Sequence, residues 1–162
     1  LAFAARLTRR LVHFASPPFL LGNEFYPVFP TPERLASIAP ETLQMLQFSR
    51  RKAEYVIGVA RKVATGELDF RDLETMEDEQ IIEKLCSIRG VGKWTAECFL
   101  LFGMGRTNLL PAADVGLRNA VKANYRLGKQ PDEEYVRKLG QSWSPWSSYA
   151  TLYLWETLME KT

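Results

Sequence analysis

Residues 85–96 read LCSIRGVGKWTA, and they restrict the fold more than any other stretch of the chain. An apolar, helix-compatible run ends at Ile88. Gly90 and Gly92 follow with only Val91 between them, and a helical pattern resumes at Lys93. Two glycines one residue apart permit a tight reversal and leave backbone N–H groups uncovered by side chains. Those N–H groups would lie at a helix N-terminus, where the aligned peptide dipoles favour an anion such as a phosphate. Two helices joined by a phosphate-holding hairpin are therefore predicted. The competing reading is a plain helix–helix corner whose glycines only ease packing. Further along, LLPAADVGLR places the carboxylate of Asp114 where another helix should begin.

The remaining apolar residues recur at helical spacing, and no sustained strand-like alternation is found. LAFAARLTRRLVHF sets Leu1, Ala4, Ala5, Leu7, Leu11 and Phe14 near one helix face. No cap precedes that helix, which reads as the cut end of a longer one, so an N-terminal part of a larger protein is expected to be missing. SPPFLLGNEFYPVFPTP reads as a loop anchored by buried Phe19, Phe25 and Tyr26. Thr31 should cap a short helix to about Ile38, and Pro40-Glu41 should open another carrying Leu43 and Leu46. Ser49 should cap a longer helix with Ala53, Val56, Ile57, Ala60 and Val63 inward, ended by Gly66. Thr75 is expected to cap residues 76–88, with Met76, Ile81, Ile82 and Leu85 inward. The helix from Lys93 should present Ala96, Phe99, Leu100 and Phe102. Three more helices are expected: from Val115 to about Tyr125, after Pro131-Asp132 with Tyr135, Val136 and Leu139, and after Pro145-Trp146 with Tyr149, Ala150, Tyr153, Leu154 and Leu158. The fold class is all-α, with one domain or two small lobes in 162 residues.

Composition excludes several chemistries. The chain has two cysteines, Cys86 and Cys98, and one histidine, His13. That is too few for a disulfide scaffold, and zinc is not expected. A net charge of +2 does not declare nucleic acid. The local clusters Arg50-Arg51-Lys52 and Arg6, Arg9, Arg10 are suggestive, although solvated helix faces explain them equally well. Nothing resembles a signal peptide or a membrane span, so a soluble intracellular protein is the expectation.

Five blocks carry a resemblance: YPVFPTPERLA, SRRKAEYVIGVA, LCSIRGVGKWTAECFLLFG, LLPAADVGLRNAV and SWSPWSSYATLYLW. Together they resemble the helix-hairpin-helix (HhH-GPD) superfamily of DNA glycosylases, nearest the bacterial 3-methyladenine DNA glycosylase II, or AlkA-type, branch. The resemblance implies a glycosylase domain over residues 1–162, with the helix-hairpin-helix at about 77–104 and the catalytic loop and helix at about 109–125. It implies a monofunctional enzyme of base-excision repair that flips alkylated purines out of damaged double-stranded DNA and hydrolyses their glycosidic bond. A monomer in the bacterial or archaeal cytoplasm, at the nucleoid, is the corresponding expectation.

The same resemblance assigns Asp114 the catalytic role, which chemistry also demands. Glycosidic cleavage develops positive charge on the sugar, and a carboxylate stabilises it. Relatives often carry two consecutive acids here, and this chain has Ala113 before Asp114. Trp94, Trp146, Cys98 and Val115 are the implied base-pocket residues, because an electron-poor alkylated purine stacks on indole. Cys98 and Val115 stand where relatives often have aromatics, and Ser147 where they often have arginine. Trp143 and Trp155 are read as core. Arg89, Gly90, Val91, Gly92, Lys93 and Thr95 form the implied phosphate-binding hairpin. Carbonyls of Cys86, Ile88 and Val91 are the implied ligands of a structural Na+ or K+. Lyase-competent relatives place a nucleophilic lysine where this chain has Trp94, and Lys93 falls one residue too early, so no lyase activity is expected. The four-cysteine Fe–S subclass does not fit either. A wedge residue of relatives would precede Leu1. The alternatives are a non-catalytic helix-hairpin-helix DNA-binding module, and a glycosylase for oxidised or deaminated bases.

Overall fold

A computed structural model describes residues 2–159, with side chains from Phe3 to Leu158. Leu1 therefore lies outside the described residues. The described residues divide into two compact units, 2–75 with 87–90 and 76–86 with 91–159.

In the first unit, helix α1 (Ala2–Ala15) is followed by strands β1 (Phe19–Leu21) and β2 (Glu24–Tyr26), then α2 (Pro32–Ala36), α3 (Pro40–Met45), α4 (Arg50–Ala64) and α5 (Phe70–Glu74). Local chemistry sets several of the ends. Thr31 accepts the Arg34 N–H at the start of α2, and Ser49 accepts that of Lys52 at the start of α4. Gly66, at φ +77°, turns the chain after α4. Leu11, Ala15, Leu35, Ile38, Leu43, Ala53, Ile57 and Ala60 form the core.

Three expectations are corrected in this unit. On α1 the buried residues are Leu7, Leu11 and Ala15, whereas Ala4, Ala5 and Phe14 face solvent. The segment expected to be a loop with buried anchors is an antiparallel hairpin, Phe19 opposite Tyr26, and Phe19, Phe25 and Tyr26 are all exposed. Gly22, at φ +61°, supplies the turn conformation, and the Gly22-Asn23 pair between apolar residues is a signal for it. Thr75 does not begin the next helix. Its hydroxyl donates to the Asp72 carbonyl at the end of α5, a helix that Asp69 caps.

In the second unit α6 (Asp78–Cys86), α7 (Lys93–Cys98), α8 (Val115–Asn124), α9 (Glu133–Gly140) and α10 (Ser147–Met159) follow in order. α6 begins later than expected, and the Gln80 side chain accepts the Glu77 N–H. α8 packs on α10 and on α9, and α6 packs on α7. Ala112, Leu117, Val121 and Val136 are fully buried, with Leu110, Leu139, Trp143, Leu154 and Trp155 against them. α7 runs directly into a π-helical turn, Phe99–Gly103, in which the Met104 N–H reaches back to the Phe99 carbonyl. The extra residue in that turn rotates the face, so Leu101 is buried and Phe102, expected inward, is exposed. α10 departs in part from its pattern, although Leu154 packs inward. Ser147, Ser148 and Thr151 are buried, and Tyr149 and Tyr153 face solvent. The Ser148 hydroxyl explains part of this, since it accepts the Leu109 N–H and donates to the Arg106 carbonyl.

Candidate active site

The second unit contains the site, at the start of α8. Asp114 occupies the N-cap with extended backbone, φ −62° and ψ 127°, and its Oδ1 accepts the Leu117 N–H at 2.6 Å. A cap aspartate ordinarily leaves its other oxygen to water. Here both oxygens are held. The indole of Trp155, on α10, donates to Oδ1 at 2.9 Å, and the indole of Trp94, on α7, donates to Oδ2 at 2.9 Å. Three N–H donors on one carboxylate fix its plane. The carboxylate is only partly buried, so a ligand can approach it.

Trp155, read from the sequence as core, has a second contact that the sequence did not indicate. It does pack against the core, but its N–H is spent on Asp114 and its ring stacks on exposed Phe102, with centroids 6.1 Å apart. The π-turn therefore has a local consequence: it delivers Phe102 to the indole that orients the carboxylate. Gly116 was missed as well. A Cβ there would sit 3.0 Å from Asp114 Oδ1 and 3.5 Å from Trp155 Nε1, so a side chain would press on the hydrogen bond.

The other pocket candidates divide. Trp94 is half exposed and touches Asp114 directly. Val115, the residue after Asp114, faces solvent. Cys98 is partly buried, and burial, then the charges of Asp114 and Glu97, push its thiol above the usual range. Cys98 lies four residues after Trp94 on the same helix. Trp146 stands just before α10, pairs edge-on with Tyr149 at 5.8 Å and is exposed. It lies roughly 13 Å along the helix direction from the level of Trp155, and among the described residues no hydrogen bond ties it to Asp114.

The hairpin residues behave in two ways. In the first unit Gly90 has φ +94°, and a Cβ on it would run into the Tyr55 ring, so glycine is required twice over. Arg89 reaches Glu54 at 3.4 Å and lies over the Tyr55 ring, while Glu54 also pairs with Arg50. In the second unit Gly92 is the N-cap of α7, with no side chain capping the helix and open space where a Cβ would be. The first N–H groups of α7 thus have neither an intrahelical partner nor a side-chain cap. Lys93 and Thr95 are exposed beside them, and Val91 is partly exposed. The segment 86–93 carries no acidic side chain. Among the described residues no cluster of three His, Cys, Asp or Glu side chains could hold a metal, and no helix is long and apolar enough to cross a membrane.

The chain is also similar to known proteins. Residues 1–145 match the model of the HhH-GPD superfamily base excision DNA repair proteins. YfjP of Bacillus subtilis, provisionally named a DNA-3-methyladenine glycosylase, is 42% identical over 158 residues, 98% of this chain and 54% of that one. A second Bacillus subtilis protein, DNA-3-methyladenine glycosylase, is 34% identical over 98% of this chain and 52% of its own length. Among solved structures, the Schizosaccharomyces pombe 3-methyladenine DNA glycosylase in complex with abasic DNA superposes with a TM-score of 0.81 at 30% identity, over 95% of this chain and 71% of that one. The chain spans about half the length of the curated relatives it matches.

Proposed function

The chain belongs to the HhH-GPD superfamily of base-excision DNA repair proteins, and on that footing we propose that it excises alkylated purines from duplex DNA by hydrolysis, leaving the strand intact. The observation that carries this reading is the three-donor clamp on Asp114. Breaking the bond between an alkylated purine and deoxyribose expels a neutral base and leaves positive charge on the sugar. A carboxylate already oriented stabilises that charge without reorganising during the reaction. Its partly open face admits the sugar and a water molecule, which adds to C1′ and gives up a proton to complete the hydrolysis. Trp94 then has two tasks. Its N–H aims Oδ2, and its half-exposed ring offers a stacking surface to an extruded base. Trp146, Cys98 and Val115 complete the pocket in this reading.

The uncapped N–H groups at the start of α7, with Lys93 and Thr95, hold a backbone phosphate, and Arg89, Gly90 and Val91 complete the turn. Such contacts position the protein without reading sequence. A Na+ or K+ on the carbonyls of Cys86, Ile88 and Val91 would add a positive charge to that grip. The absence of strand cleavage follows from Trp94, because an indole cannot form the Schiff base a lysine would. The substrate is then 3-methyladenine or a related N-alkylpurine in double-stranded DNA. The protein acts as a monomer in the cytoplasm, at the nucleoid.

Asp114→Asn tests the reading. Single-turnover excision from a duplex carrying one 7-methylguanine should collapse while duplex affinity is kept or strengthened. Excision that survives the change would refute the mechanism. Borohydride treatment during turnover should trap no protein–DNA adduct, and a trapped adduct would restore a lyase. Running defined alkylated, oxidised and deaminated lesions side by side ranks the substrate classes.

A further inference from the structure

α7 carries a group that the mechanism above does not use. Glu97 lies three residues after Trp94 and next to Cys98, with only 4% of its surface exposed. Its Oε2 is buried and has no hydrogen-bond partner. An ionised carboxylate so placed would lose its hydration with nothing to replace it. The charged groups that act on it come from three elements: Lys93 on α7, Arg137 and Glu133 on α9, and Asp114 at the cap of α8. Lys93 is exposed to solvent, and the Arg137 guanidinium is taken by Glu133 at 2.5 and 2.9 Å. Neither cation makes an ion pair with Glu97 among the described residues. Asp114 and Glu133 oppose a further negative charge. Burial, the largest influence, pushes the Glu97 carboxyl above the usual carboxylate range.

We propose that Glu97 is a positioning residue carried as a neutral carboxylic acid, which leaves Asp114 the single anion of the site. The inference rests on Asp114 being the catalytic carboxylate. Of the two carboxyls, Glu97 is the buried one, and its Oε2 has no partner to replace water. When Glu97 ionises at higher pH, its charge demands water or a cation inside α7. Admitting either displaces Trp94, one turn earlier on the same helix, from Asp114 Oδ2. Excision therefore falls about tenfold per pH unit above the Glu97 titration. Stability follows the same group. A carboxyl with a raised folded-state value contributes stability that is fully present below its unfolded value and lost as pH rises through the folded one.

The test uses 13C NMR of the protein labelled at glutamate Cδ, together with pH profiles of single-turnover excision for wild type and Glu97→Gln. Glu97 should keep its proton after the exposed glutamates have lost theirs. The wild-type profile should show an alkaline limb that E97Q lacks, and the melting temperature of E97Q should gain on wild type as pH rises. A Glu97 resonance titrating with the exposed glutamates, or alkaline limbs that superimpose, would overturn the proposal. Should E97Q not fold, the wild-type titration still decides. Asp114→Asn in the same assay separates the two ideas: retained excision sinks the reading of Asp114, whereas lost excision with an ordinary Glu97 titration sinks this inference alone.

Discussion

Replacing Trp155 with phenylalanine removes one hydrogen-bond donor and leaves most of the apolar ring. In the native protein Asp114 Oδ1 accepts from Leu117 N at 2.6 Å and from Trp155 Nε1 at 2.9 Å, while Oδ2 accepts from Trp94 Nε1. A hydrogen bond to a charged group contributes about 1.5–3 kcal/mol. Asp114 is only partly buried, so water replaces some of that in the variant, and about 1–2 kcal/mol is the expected loss of orientation. If the clamp acts in the transition state, the loss corresponds to about a 5- to 30-fold slower excision. Single-turnover excision at saturating protein is the assay, because it isolates chemistry from product release. Affinity for an undamaged duplex should not change. Near-ultraviolet circular dichroism checks that the ring at 155 still stacks on Phe102. A folded variant that excises within twofold of wild type would refute the argument that the indole N–H holds the carboxylate for catalysis, leaving Trp155 a packing residue.

Gly116→Ala should separate stability from activity in the opposite way. Alanine favours a helix over glycine by up to about 1 kcal/mol, yet its Cβ crowds Asp114 Oδ1 and Trp155 Nε1. The melting temperature should hold or rise while excision falls. Gly90→Ala should cost about 2 kcal/mol or more in chemical denaturation, because the left-handed backbone strains any side chain and the new Cβ meets Tyr55. Truncating Tyr55 in the same chain should recover the steric part. The Cys98 thiol, held protonated by burial and by Asp114, should react with iodoacetamide later than exposed Cys86 as pH rises. Asp114→Asn should narrow that gap, since it removes one of the charges that raise Cys98. Equal rates for the two cysteines in the wild type would contradict the placement of Cys98.

Much of the site was legible because it is local. Thr31, Ser49, Asp114 and Asp132 each cap the helix that begins just after them, a contact spanning three residues that backbone geometry alone makes possible. The same locality explains why Gly90 was readable as a turn. Apolar spacing did less well where an element meets solvent on a side that the pattern could not indicate. Tyr149 and Tyr153 share a face of α10 that periodicity assigns to the core, but Ser148 and its hydrogen bonds bury the opposite face. The π-turn at Phe99–Gly103 escaped for a related reason: it changes the period itself, so a reading at 3.6 residues per turn puts Phe102 on the wrong side.

By itself the sequence determined a predominantly helical chain, a glycine turn opening onto an uncapped helix, and a carboxylate at the head of another helix. These are short-range consequences of which side chains can cap, turn or clash. Tertiary structure decided what surrounds that carboxylate. Trp94 and Trp155 lie twenty residues before and forty-one after Asp114, and they bond to it only because α7, α8 and α10 bring them together. The burial of Glu97 is likewise invisible in a helix whose neighbours are unknown. A carboxylate held by two indoles, with a buried carboxyl whose Oε2 has no partner on the helix of one of them, is an arrangement of long-range contacts, and no spacing along the chain encodes it.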